Sequence, residues 1–145
     1  MLYINIHTTA FPGGELRGQI LLSADQHLHT VLLGSNEIPS VNSSAYGSLV
    51  FELNNNTLTV SGSFDDLEDE VAVALAGGAH IHDAPNGRNG GVVFPLNITL
   101  DADNQGAVVY AVDNVFDLTD DQVNKLKYDG YYINCLLYTS DAADE

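Results

Sequence analysis

YGSLVFELNNNTLTVSGS, residues 46–63, sets two runs rich in β-branched and aromatic side chains on either side of three asparagines. Such side chains fit a pleated, half-buried surface, and asparagine accepts the backbone angles of a tight turn. The stretch reads as a β-hairpin, and the same grammar extends outward in both directions.

Towards the start, Leu2, Ile4 and Ile6 alternate with Tyr3, Asn5 and His7, the period of a half-buried strand. Phe11-Pro12-Gly13-Gly14 is turn chemistry. Beyond it Glu15, Arg17 and Gln19 alternate with Leu16 and Ile20, so residues 2–22 predict another hairpin. Residues 27–33 are a further β-rich run, closed by Gly34-Ser35-Asn36. Towards the end, residues 79–82, 92–100 and 107–112 are β-like, the last two separated by the turn 101–106. One segment departs from the pattern. In LTDDQVNKLKYDG, Thr119 and Gln122 have the spacing of a capping box. Asp120 and Asp121 suit the positive end of a helix, Lys125 and Lys127 the negative end, and Gly130 a stop. The expected fold is all-β, an antiparallel β-sandwich of immunoglobulin-like or superoxide-dismutase-like type, with one short α-helix near the last strand.

The chain has 145 residues, 20 acidic and four basic, a formal net charge of −16. Nucleic acid and anionic membranes are repelled by such a surface, and no apolar run approaches the roughly 18 residues of a membrane span. Neither nucleic-acid binding nor membrane insertion is expected. The tail CLLYTSDAADE, residues 135–145, back-translates onto a transposase adapter used in sequencing libraries and reads as an artefact. Without it three acids are lost, the charge becomes −13, and the only cysteine disappears. No disulfide framework or thiolate chemistry is then expected.

Tyr3-Ile4-Asn5 recurs as Tyr132-Ile133-Asn134, and where the first copy continues to His7 the second has Leu136. A period close to the whole length points to a tandem array sampled out of phase. Three longer stretches carry a family resemblance: GSNEIPSVNSSAYGSLVFEL (34–53), AHIHDAPNGRNGGVVFPL (79–96) and YINIHTTAFPGGELRGQI (3–20). Together they resemble the CHRD domain, named after chordin and common in bacterial secreted proteins. In that family the YINIHT…GGELRGQI segment comes last, and here it comes first. The resemblance implies that residues 1–22 are the C-terminal hairpin of one repeat and 27–134 most of the next. It also implies an exported, extracellular or cell-envelope β-sandwich module. Its partner would be an extracellular protein, a matrix component or neighbouring repeats, and its role structural or adhesive rather than catalytic.

His80 and His82 face the same way if residues 79–82 form a strand, which makes them a natural two-ligand edge for copper or zinc. His7 is the candidate third ligand, provided the opening hairpin docks where the strand after Asn134 belongs. An HxH strand with a later strand histidine and an arginine, here Arg17, is also similar to copper–zinc superoxide dismutases. However, the stretch between Asp83 and Val92 has no histidine for a zinc loop. The competing expectation is structural: His80 and His82 bond neighbouring strands and carbonyls and hold the loop 83–91, which includes Asn89 and Gly90. Glu15 and Arg17 share a strand face, with Arg17 expected to pair with a carboxylate or carbonyls and Asn5 to belong to the same hairpin motif. His27 and His29 read as a solvated strand face. Asp101, Asp103 and Gly106 start like a calcium loop, but Val112 stands at the twelfth position where a glutamate belongs, so a turn is expected. Asn42, Asn55 and Asn97 open glycosylation sequons.

Overall fold

The computed structural model describes residues 3–19, 24–128 and 130–135. Eleven strands and one α-helix are found among them: β1 (Tyr3–Ile6), β2 (Leu16–Gln19), β3 (Gln26–Leu33), β4 (Tyr46–Asn54), β5 (Thr57–Asp65), β6 (Ala79–Asp83), β7 (Gly91–Pro95), β8 (Thr99–Leu100), β9 (Ala107–Val109), β10 (Val115–Asp117), α1 (Asp120–Lys127) and β11 (Tyr131–Cys135). Every pairing is antiparallel.

The hairpin of residues 46–63 is the centre of the larger sheet, ordered β3-β4-β5-β9-β8 with β10 also on β5. Phe51 pairs with Val60 and Leu53 with Leu58 across β4 and β5. All four are buried, and Leu49 joins them, while Tyr46, Ser48 and Val50 on the opposite face are exposed. Strict alternation thus gives the sheet one dry face. Covering that face is a smaller sheet ordered β11-β6-β7, from which Ala79 and Ile81 of β6 enter the same core. The architecture is the expected β-sandwich with a single short helix just before the last strand.

β9 and β10 are two parts of one interrupted partner of β5. β9 lies against Gly62–Phe64 and β10 against Thr57–Thr59, and the Val60 N–H donates to Asn114 O at 2.9 Å in between. The side chain of Asn114, fully buried, holds the excursion. Its Oδ1 accepts the Asn97 N–H at 2.8 Å and its Nδ2 donates to Asn97 O at 2.8 Å and to Tyr110 O at 3.0 Å. All three amide contacts are local replacements for ladder hydrogen bonds that the interrupted strand cannot make.

The helix forms where its capping box expects it. The Thr119 hydroxyl accepts the Gln122 N–H at 3.3 Å, and Gln122 Oε1 accepts the Thr119 N–H at 2.9 Å. The Gly130 N–H donates to Lys125 O and closes the end. Two runs differ from expectation. Residues 92–100 divide into β7 and β8 because Asn97 leaves the ladder for Asn114, and residues 107–112 shorten to β9 followed by a 3-10 turn, Ala111–Asp113. The turn at 101–106 is a turn, closed by the Asp101 N–H on Gly106 O. In the tail, Cys135 completes β11, and residues 136–145 lie outside the described residues.

The opening hairpin differs most. β1 and β2 form a two-stranded sheet of their own. This hairpin was expected to dock where the strand after Asn134 belongs; among the described residues it pairs with no strand of the sandwich, and β6 is flanked by β11 and β7. Ile4, Ile6 and Leu16 are left 59%, 51% and 63% exposed.

Replacing Asn114 by Ala strands an N–H and two carbonyls of part-buried backbone and leaves a gap at a fully buried side chain, so a loss of about 3 kcal/mol is expected in urea unfolding. Val112→Ala, at an 85% exposed position, is the control and should stay within about 0.5 kcal/mol. Equal effects from the two would remove the structural role assigned to Asn114.

Candidate functional site: a histidine–tyrosine brace

β6 has two faces with two jobs. Ala79 and Ile81 point into the sandwich, and His80 and His82 point to the other side, where they are nevertheless 0% and 3% exposed. The pairing of β11 with β6 sets Asn134 opposite His80 and Tyr132 opposite His82. In antiparallel strands directly opposed side chains share a face, and the rings stack as this requires: Tyr132 lies on His82 with centroids 4.6 Å apart and planes 5° from parallel. His80 stands 4.6 Å from His82, tilted by 60°.

The loop leaving β6 is fastened to this stack at Gly90. His82 Nδ1 donates to Gly90 O at 2.6 Å, and the Gly90 N–H donates to the Tyr132 hydroxyl at 3.2 Å. The backbone of one residue, Gly90, is therefore held at its carbonyl and at its N–H, in two successive peptide units, by two stacked rings. Any side chain at position 90 would collide with Asp83 O and the Ala84 methyl, so the close approach requires glycine. The neighbouring Asn89 Nδ2 donates to Ile38 O at 3.2 Å and ties the loop to the segment after β3. At the same end of β6, where the loop begins, Asp83 meets Lys125 of α1 at 2.5 Å. That hydrogen bond raises the Lys125 ammonium above its ordinary value, with little effect on stability expected for an exposed pair.

The residues singled out in the sequence therefore fall into two places. His80, His82, Asn89 and Gly90 meet at the brace. Asn5, His7, Glu15 and Arg17 stay together in the opening hairpin, where His7 Nδ1 donates to Pro12 O at 2.9 Å and Glu15 Oε2 accepts the Thr8 hydroxyl at 2.6 Å. Gly14 (φ 121°) packs its α-carbon on the Asn5 amide, where a Cβ would lie 2.5 Å from Asn5 Oδ1. Arg17 faces Asn5 across the hairpin. His7 does not reach His80 and His82: among the described residues no three His, Cys, Asp or Glu side chains gather as a metal site. The physical reason is topological, since β11 occupies the strand position His7 would have to enter beside. His27 and His29 lie on the exposed side of β3, with His27 Nδ1 3.5 Å from Glu52.

Sequence reasoning passed over Tyr132, the residue that stacks on His82. Its only signal was the repeated Tyr-Ile-Asn, which placed it in a strand without naming the strand it pairs with. At the end of β11 lies Cys135, whose thiol is pushed up to about 12 by burial, with the Glu37 charge adding to the shift. Thiolate is the reactive form, so Cys135 in this fold should label slowly at neutral pH.

Tyr132→Phe keeps the stack and deletes one hydrogen bond, so a cost of about 1 kcal/mol is expected. Its signature is local: faster hydrogen exchange at the Gly90 amide with other loop amides little changed. His82→Ala removes both stack and bond and should cost about 3 kcal/mol. Unchanged exchange at Gly90 in the phenylalanine variant would break the brace.

The CHRD domain model matches residues 1–20 and 28–136, most of the chain and in two segments. No curated protein and no solved structure matches it. The loop 83–91 with its HIHD strand, the segment after β3 and the YIN strand, which the brace joins in space, all lie inside the matched residues; this chain belongs to the CHRD domain family.

Proposed function

We propose that the chain is a non-catalytic, exported repeat module with a structural or adhesive role on the cell surface or outside the cell. The observation that carries this reading is the use made of the polar motif residues. His82, Tyr132, Asn89 and Gly90 spend their hydrogen bonds on one another and on Ile38 O. Their product is a fixed loop and a rigid second sheet, the properties of a spacer or a displayed binding surface. CHRD domains occur in secreted proteins generally, and among the described residues no helix is long and apolar enough to cross a membrane. The excess of acidic residues suits an exposed surface facing solvent or a cationic partner.

The second reading is a copper or zinc module, and one observation favours it: the Nε2 atom of His82 is buried without a hydrogen-bond partner, beside a second imidazole. Two imidazoles alone fall short of the three protein ligands of a zinc centre. The two readings separate by metal titration of the dilute chain. The structural reading expects an unchanged melting temperature with micromolar copper(II) or zinc. A rise in melting temperature that His82→Ala abolishes would transfer the function to the metal reading.

A further inference from the structure

β1 and β11 carry one strand signature. Tyr3-Ile4-Asn5 in the hairpin and Tyr132-Ile133-Asn134 in the sandwich are identical, yet only the second is seated. In β11, Tyr131, Ile133 and Cys135 pack against the core, while Tyr132 and Asn134 face His82 and His80. Laid onto that register, Ile4 takes the place of Ile133, Ile6 that of Cys135, Tyr3 that of Tyr132 and Asn5 that of Asn134. The apolar face of the hairpin is the face that would turn inward, and it is the exposed one.

The hairpin also supplies something β11 lacks. β11 is the edge of its sheet and β3 the edge of the other. Residues of both edge strands line a cleft of about 180 Å³ of mixed polarity, with Leu28, Phe51, Ile81 and Ile133 beside His29 and Thr30. Leu16 of β2 lies directly opposite Ile6, so it shares Ile6's face one strand farther out. A hairpin seated through β1 therefore projects Leu16 over that cleft.

We propose that the partner of this module is a second copy of the chain, bound by reciprocal hairpin exchange: residues 3–19 of each copy displace β11 of the other and pair β1 with β6. The contact is isologous, as a two-fold dimer requires. This deepens the repeat-module reading by naming the partner. It can fail while that reading stands, because a strictly monomeric chain keeps its brace intact.

The test uses the whole chain in a non-thiol reductant, with mass measured by light scattering from micromolar to millimolar concentration and Cys135 labelling followed in parallel. The expected result is a mass rising from one chain to two, with Cys135 labelling faster as dimer accumulates, because exchange releases β11. Ile4→Asp and Leu16→Asp, both at exposed positions of the monomer, should weaken dimerisation at least ~10-fold and leave the melting temperature of the dilute chain unchanged. Three outcomes overturn the proposal: one-chain mass at every concentration, dimers formed equally well by Ile4→Asp, or dimers in which Cys135 labels as slowly as in the monomer.

Discussion

The pairing of β11 with β6 is the constraint on which the rest of the structure depends. It closes the smaller sheet on one side and supplies Ile133 and Tyr131 to the core. On the other side it delivers Tyr132 to His82. Because side chains alternate along a strand, these two results cannot be separated. Slipping the register by one residue would turn Ile133 towards His82 and Tyr132 towards the core. A buried tyrosine hydroxyl and two buried imidazoles then all need new partners, which is a strong penalty against the wrong register. The brace therefore specifies the register as much as it fastens the loop.

The same logic explains why the histidines are buried on the side of the sheet away from the core. A two-layer sandwich normally leaves its outer faces wet. Here the loop 84–90 folds back over β6, and its backbone would lose water without gaining partners if His82 and Tyr132 were apolar. The Gly90 N–H gains an acceptor and the Gly90 carbonyl a donor from the two rings. The polar pair is thus the condition for covering the sheet with loop backbone rather than with another sheet or a helix.

What was legible in the sequence was local. The hairpin of residues 46–63, the turn at 101–106 and the capping box at Thr119 follow from neighbours within a few positions, and each stands where the residues put it. The all-β class followed from repetition of such local signals. The CHRD resemblance rested on three long motifs, and the family match covers them. What was not legible depends on contacts far apart in the chain. Asn114 is separated from Asn97 by 17 positions, and nothing about an asparagine in a β-rich stretch announces that it will replace ladder bonds. Tyr132 meets Gly90 across 42 positions. His7 failed to join His80 and His82 for the same reason: alternation told which face each imidazole takes, but not which of two identical Tyr-Ile-Asn strands would lie beside β6.

That last ambiguity is a physical property of the molecule. Under the proposed exchange the two copies of one strand signature compete for one site, and the energetic difference between seating one or the other is a difference between similar side chains, Ile6 against Cys135 above all. Exchange between copies then costs little beyond association and one pairing, since the five-residue ladder of β11 on β6 is replaced by one of the four residues of β1. In a tandem array the neighbouring hairpin is tethered, so its effective concentration is set by the linker and exceeds that of a free partner. Seating β1 also carries His7, two positions beyond Asn5, onto the face of His80 and His82. Under the proposed exchange three imidazoles would come together where two modules meet, and a copper or zinc site built on them would belong to that junction and not to the single module.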